Sequence, residues 1–187
     1  MSSELRVDKI IPTAGVPTGG GGGIIQVAQS TKTDAQTIDV SSTSAQDIVG
    51  TDQNGAGSIF CVKITPKFAS SKILFSCSFT VGMGGGASYI QAFMVRDSTN
   101  LLPSTAGTGN MRNATFGLSG TGSAYYTENI SFTFLDSPNS TSELTYKVQM
   151  AKGDNSYVTY INRPATLDNQ TYNTCGSSTL TVMEVSA

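Results

Sequence analysis

Thirteen carboxylates, eleven basic side chains, three cysteines and no histidine are what this 187-residue chain offers to chemistry. Without histidine there is no Ser-His-Asp or Cys-His arrangement and the commonest metal ligand is missing, so a hydrolase would need an unusual base. Glu128, Asp136, Glu143, Asp154 and Asp168 could in principle pair for glycosidic chemistry, which places two carboxyl groups across one bond. Scattered through turns, they read instead as solvated faces and turn formers. Gly82-Met-Gly-Gly-Gly-Ala87 matches the letters of a G-x-G-x-x-A dinucleotide fingerprint after a strand pattern. That motif works by opening a helix whose first amides hold a pyrophosphate, and Ser88 to Arg96 reads as a strand, so a hairpin loop is expected. Asp52-Gln-Asn-Gly55 resembles part of a calcium loop but lacks the downstream bidentate glutamate, so a turn is expected. A structural divalent ion between subunits stays open as the alternative. Cys61, Cys77 and Cys175 fit neither a disulfide framework nor a metal knuckle, and the first two, inside strand patterns, read as small buried hydrophobes. These residues imply no enzyme and no cofactor.

The elements that carry these residues are strands. In Ile73, Phe75, Cys77, Phe79 and Val81 every second residue is apolar, while Leu74, Ser76, Ser78 and Thr80 face the other way, the period of a half-buried strand. The preceding Ile64-Thr-Pro-Lys-Phe-Ala-Ser-Ser-Lys72 ends one strand and turns into the next. Similar short patterns recur over 24–30, 36–41, 58–65, 72–81, 88–96, 113–118, 124–135, 143–151, 156–161 and 178–185, with no capped helical period between them. An all-β fold follows, an antiparallel β-sandwich with turn-rich connections.

The length suits one domain with an appendage. Net charge is −2 and no run of Lys or Arg occurs, which leaves no footprint for a nucleic-acid backbone. No stretch approaches 18 consecutive apolar residues and no basic start precedes an apolar segment, so neither membrane insertion nor export by a signal peptide is expected. For the same reason the four Asn-x-Ser/Thr triplets, at Asn113, Asn129, Asn139 and Asn169, imply no glycosylation.

Residues 1–23 read as an arm and a hinge, and 24–187 as the globular head. Leu5, Val7, Ile10 and Ile11 make a short sticky peptide, and Gly19 to Gly23 have too much backbone freedom to hold a direction unaided. Such a peptide is too short to bury itself and suits strand addition to the sheet edge of another protein. Within the head, Asp97 to Arg112 and Asn162 to Gly176 are long enough to be functional loops. Tyr125, Tyr126, Tyr157, Tyr160 and Tyr172, with Arg96, Arg112 and Arg163, could stack on and bond to sugars or serve an interface. Arg96, Asn110, Arg112, Arg163 and Tyr172 are the residues placed at a receptor contact. Several strands carry large apolar residues on both faces, such as Tyr89, Ile90, Phe93, Met94 and Val95, which predicts that one sheet packs against copies of the same chain.

Four phrases carry a family likeness: Ser3-Glu-Leu-Arg-Val-Asp-Lys-Ile10, the glycine run into Ile24-Ile-Gln-Val27, the Ile64-Thr-Pro…Ser-Ser-Lys-Ile-Leu block, and Ser178-Thr-Leu-Thr-Val-Met-Glu-Val185. Across nearly the whole length the chain resembles small fibre proteins of tailed bacteriophages, notably those of marine cyanobacteria. The resemblance implies a virion protein assembled in the host bacterial cytoplasm. It implies an adaptor arm, residues 2–18, docked to a capsid, collar or tail protein, and a jelly-roll head similar to the homotrimeric heads of the tumour necrosis factor type. The shaft of long fibres is missing, which favours a short fibre or knob whose loops contact a host glycan or protein. A capsid decoration or cement protein of the same fold is the alternative.

Overall fold

The computed structural model describes residues 23–38, 44–50, 58–84, 89–109, 111–119, 123–152 and 158–186. Leu5, Val7, Ile10 and Ile11 of the expected arm, Asn110, and the Asp52-Gln-Asn-Gly55 turn lie outside the described residues. Fourteen strands follow in order: β1 (Ile24–Lys32), β2 (Gln36–Ile38), β3 (Gln46–Asp47), β4 (Val49–Gly50), β5 (Ser58–Ile59), β6 (Cys61–Ile64), β7 (Lys72–Met83), β8 (Tyr89–Arg96), β9 (Thr99–Leu101), β10 (Phe116–Ser119), β11 (Thr127–Asp136), β12 (Leu144–Lys152), β13 (Thr159–Ile161) and β14 (Ser178–Val185). Among the described residues there is no helix. The expected hairpin after β7 is not what the structure holds: β8 is a strand, as read, but it pairs with β9, β10 and β12 and not with β7, so the glycine-rich connection passes from one sheet to the other.

Every pairing is antiparallel, and several short strands are collinear pieces of longer ones. One edge of β7 pairs with β11; the other pairs with β14 along Lys72–Ser78 and with β13 along Val81–Met83, and beyond these lie β1 and β2. In the second sheet, β8 and β12 are central. The pieces β9 and β10 flank β8, and β6 and β3 flank β12, with the β4–β5 hairpin inserted between them. Counting collinear pieces together gives two four-stranded sheets of chain order 1-8-3-6 and 2-7-4-5. This is the jelly-roll arrangement, an antiparallel β-sandwich.

The alternation in β7 is what closes the sandwich. Ile73, Phe75, Cys77, Phe79 and Val81 are all buried between the sheets, where Phe75 meets Tyr146 of β12 at 5.3 Å and Phe79 meets Phe60 edge-on at 6.0 Å. Cys61 and Cys77 are buried and free, and burial pushes the Cys77 thiol up to about 11. One polar group enters this core with its partners attached. Asp136 accepts hydrogen bonds from Arg96 Nη1 at 2.6 Å, Tyr146 Oη at 2.8 Å and its neighbour's amide, Ser137 N, at 2.9 Å.

The outward apolar residues of β8 find a different cover from the one the sequence predicts. Phe93 and Val95 pack with Ala151 against Ala114, which belongs to the same chain's 102–115 connection. That connection is tied down by Thr115, whose amide bonds Ala92 O and whose hydroxyl accepts from Met94 N and donates to Leu101 O. Much of the second sheet's outer apolar surface is therefore satisfied internally.

The Ile64–Lys72 turn is held from the far end of the chain. Glu184 of β14 is fully buried and accepts from Lys67 N at 2.8 Å, Phe68 N at 3.3 Å and Gln26 Nε2 at 2.6 Å, while the same Gln26 amide bonds Thr65 O at 2.7 Å. Burial pushes the Glu184 carboxyl up, but these donors, with Ser71 beside it, outweigh burial and hold it below its ordinary range. Replacing Glu184 by Gln is predicted to lower stability by about 1–3 kcal/mol in urea unfolding at pH 7. Because the folded carboxyl is the stronger acid, its contribution is complete above the ordinary glutamate value of about 4.3 and is lost as pH falls through the lowered folded value. The gap between wild type and variant is therefore expected to close in acid; a gap that stays constant on acidification contradicts the assignment.

Candidate functional site

The eighth strand of the jelly roll is interrupted after Ile161 and resumes at Ser178, and the residues between form the largest excursion from either sheet. Asn162 makes the break. Its φ of 64° is the left-handed conformation that asparagine tolerates better than most residues. At 1% exposure all of its polar groups are engaged. Its amide donates to Thr80 O at 2.8 Å, and its carbonyl accepts from Gly176 N at 3.1 Å. Nδ2 donates to Lys32 O and Asp34 O at 2.9 and 3.0 Å, and Oδ1 accepts from Ser178 Oγ at 2.6 Å. One side chain thus joins the break between β1 and β2 to the break between β13 and β14.

From this pin the excursion folds onto the outer face of the first sheet. Two glycine approaches allow it: a Cβ on Gly82 would lie 2.1 Å from Arg163 O, and one on Gly176 would lie 2.3 Å from Thr80 Oγ1. Thr166 N then bonds Ala124 O at 2.9 Å, which docks the excursion against the 123–126 turn. Tyr172 meets Tyr125 edge-to-face at 5.8 Å. The outcome is an aromatic end, with Tyr125, Tyr126 and Tyr172 at 38%, 58% and 53% exposure; Leu167 of the same excursion is also exposed.

Of the residues expected at a receptor contact, Arg163 and Tyr172 share this excursion. The Arg163 guanidinium sits 4.4 Å over the Tyr160 ring and donates to Thr37 Oγ1 at 3.1 Å and Pro164 O at 3.5 Å. Arg96 lies in the other sheet, its guanidinium bound to Asp136, and Arg112 lies in the segment leading to β10, so neither joins the tyrosine end. Among the carboxylates considered for glycosidic work, Asp136 is held by Arg96 and Tyr146, and Glu143 pairs with Lys63 at 3.1 Å. Among the described residues no group of three or more Cys, Asp or Glu side chains could hold a metal ion. Neither Asn162 nor Gly82 stands out in the sequence: an Asn-Arg-Pro start and a glycine at a strand end mark a turn, not the contacts it makes.

The rest of the first sheet's outer face is orderly. Register places Val27, Met183, Leu74 and Leu135 in one row across four strands. The next rows are Gln29, Thr181, Ser76 and Thr133, then Thr31, Thr179, Ser78 and Ser131. Gln29 bonds Thr181, Ser76 bonds Thr133 and Ser131 bonds Ser78, so the hydroxyls satisfy one another. Not one of the twelve is charged. Val27 and Leu135 are 56% and 46% exposed, whereas the second sheet's outer face carries the Lys147–Asp47 and Lys63–Glu143 ion pairs.

No protein-family model matches the chain, and no curated protein matches it by sequence. Among solved structures the chain is similar to one in the structure of infectious bursal disease virus Gx strain, with a TM-score of 0.38 and 10% sequence identity over 97% of this chain and 46% of that one. The chain therefore spans about half the length of that neighbour.

Gly82→Val is predicted to lift the excursion from the sheet, because the new side chain would occupy the place of the Arg163 carbonyl. Overpacking of this kind costs about 1–3 kcal/mol. Increased hydrogen exchange at Thr166 and Gly176 with β7 still protected is the expected result; unchanged exchange at both amides contradicts the packing described.

Proposed function

We propose that the protein is a structural component of a bacteriophage virion, a non-enzymatic short fibre or knob. Its jelly-roll heads associate as a homotrimer, its arm at residues 2–18 docks through Leu5, Val7, Ile10 and Ile11 to a capsid, collar or tail protein, and the loop end of each head meets the bacterial surface. The observation that carries the reading is the uncharged three-row patch on the outer face of the first sheet, at whose margin the exposed Lys72 stands. An apolar row backed by eight neutral polar side chains can be covered by another copy without burying a charge. The sequence likeness to phage fibre proteins supplies the setting.

Magnitudes favour assembly through this face together with its flanks. Four strands about 4.8 Å apart and three rows about 7 Å apart cover roughly 400 Å². That is about half of the ~800 Å² each partner gives to a standard interface. The exposed tyrosine end favours a contact role over simple coating, since a shell-stabilising protein has no need of a pinned aromatic loop.

Val27→Lys combined with Leu135→Lys is predicted to leave the head folded, as both side chains are exposed, and to convert the oligomer to a monomer in light scattering. A wild-type protein that is monomeric at about 10 μM, or a double variant that stays oligomeric, contradicts the interface. Deleting residues 2–18 is expected to give a folded head that no longer enters particles. If loss of the whole protein lowers the heat resistance of the particles and leaves attachment intact, the decoration role holds instead.

A further inference from the structure

Resting on the reading that this end of the head meets a bacterial surface, we propose that the tyrosine end is a binding site for neutral saccharides. Pyranose rings stack on Tyr126 and Tyr172, and their hydroxyls bond the side-chain amides of Asn169 and Gln170. A pyranose presents an apolar C–H face and a polar rim, and an exposed tyrosine offers a matching ring and phenol. Three such rings, each more than a third exposed, stand on adjoining segments that the Thr166–Ala124 hydrogen bond joins.

The platform is built before any ligand arrives. Asn162 fixes the start of the excursion, Gly176 its end, and the Tyr125–Tyr172 contact its crest, so little ordering is required on binding. Charge selects the class of sugar. The one guanidinium of the excursion, Arg163, is spent on Tyr160, Thr37 and Pro164, while the charged residue nearest in sequence to Tyr172 is the exposed Asp168. An acidic saccharide would meet this carboxylate and no free cation of the excursion, whereas a neutral one loses no charge solvation. Size decides against a protein receptor, because three tyrosines and a leucine fall well short of the ~800 Å² such a contact needs. A single site of this kind is weak, and several heads on one particle raise the effective concentration of each next contact.

The test is saturation-transfer NMR on the full chain with hexasaccharides of glucose, galactose and mannose, and with a galacturonic acid hexamer as the charged counterpart. The expected result is saturable transfer to at least one neutral hexamer, weakened at least tenfold in Tyr126→Ala and in Tyr172→Ala and retained in Tyr172→Phe, which keeps the ring and its contact with Tyr125. No saturable transfer from any neutral hexamer overturns the proposal. So does equal or stronger binding of the galacturonate hexamer, or wild-type affinity in both alanine variants. Particle incorporation is read separately: loss of sugar binding with normal incorporation removes the saccharide site alone, and sugar binding by a chain that never enters particles removes the virion role alone.

Discussion

The five hydrogen bonds of Asn162 are the constraint on which the exposed tyrosine end of this molecule depends. A jelly roll needs its eighth strand to lie between the first and the third, and here that strand leaves the sheet for sixteen residues and returns in register. Such a break exposes backbone groups on three neighbouring strands at once. A left-handed asparagine answers this, because its side chain reaches two carbonyls of the first strand and a serine of its own continuation while its backbone stays bonded to β7 and Gly176. The excursion is thereby rooted in the sheet at the point where it leaves it.

From that root follows the division of the outer surfaces. One end of the first sheet's outer face is covered by the excursion, whose close approach at Gly82 and Gly176 leaves its tyrosines facing solvent. The centre of the remainder is an uncharged patch of three rows, one of them apolar, bordered by the exposed Lys72. The second sheet is different in kind, since its outward Phe93 and Val95 are covered by the chain's own Ala114 and its other outward positions carry ion pairs. The proposed association with copies of the chain rests on this asymmetry between a self-covered sheet and an open, mostly neutral one.

Much of this architecture was legible in the sequence. The two-residue period of 72–81 announced β7, extended in the structure to Met83, and nine further strand patterns found their counterparts within a few residues. The two-residue strands β3 and β4 and the three-residue β9 escaped notice because so few residues give no period to read. The sandwich class was accessible from alternation and turns, but the jelly-roll order came only with the resemblance, since alternation names a strand's faces and not its neighbours. Apolar residues on both sides of β8 pointed to cover without revealing that a segment twenty residues onward supplies it. At the site, Arg163 and Tyr172 stood out as residue types able to hold a ligand. The bond of Arg163 to Thr37, and those of Asn162 Nδ2 to Lys32 O and Asp34 O, join residues more than a hundred positions apart.

If Asn162 roots the excursion, its removal has a local signature. Hydrogen exchange of the full-length Asn162→Ala variant measures this directly. The account predicts that the Thr166 and Gly176 amides lose most of their protection while those of β7, β11 and β14 keep theirs. Protection at Thr166 and Gly176 equal to that of the wild type would show that the excursion stands without the asparagine and would contradict the account.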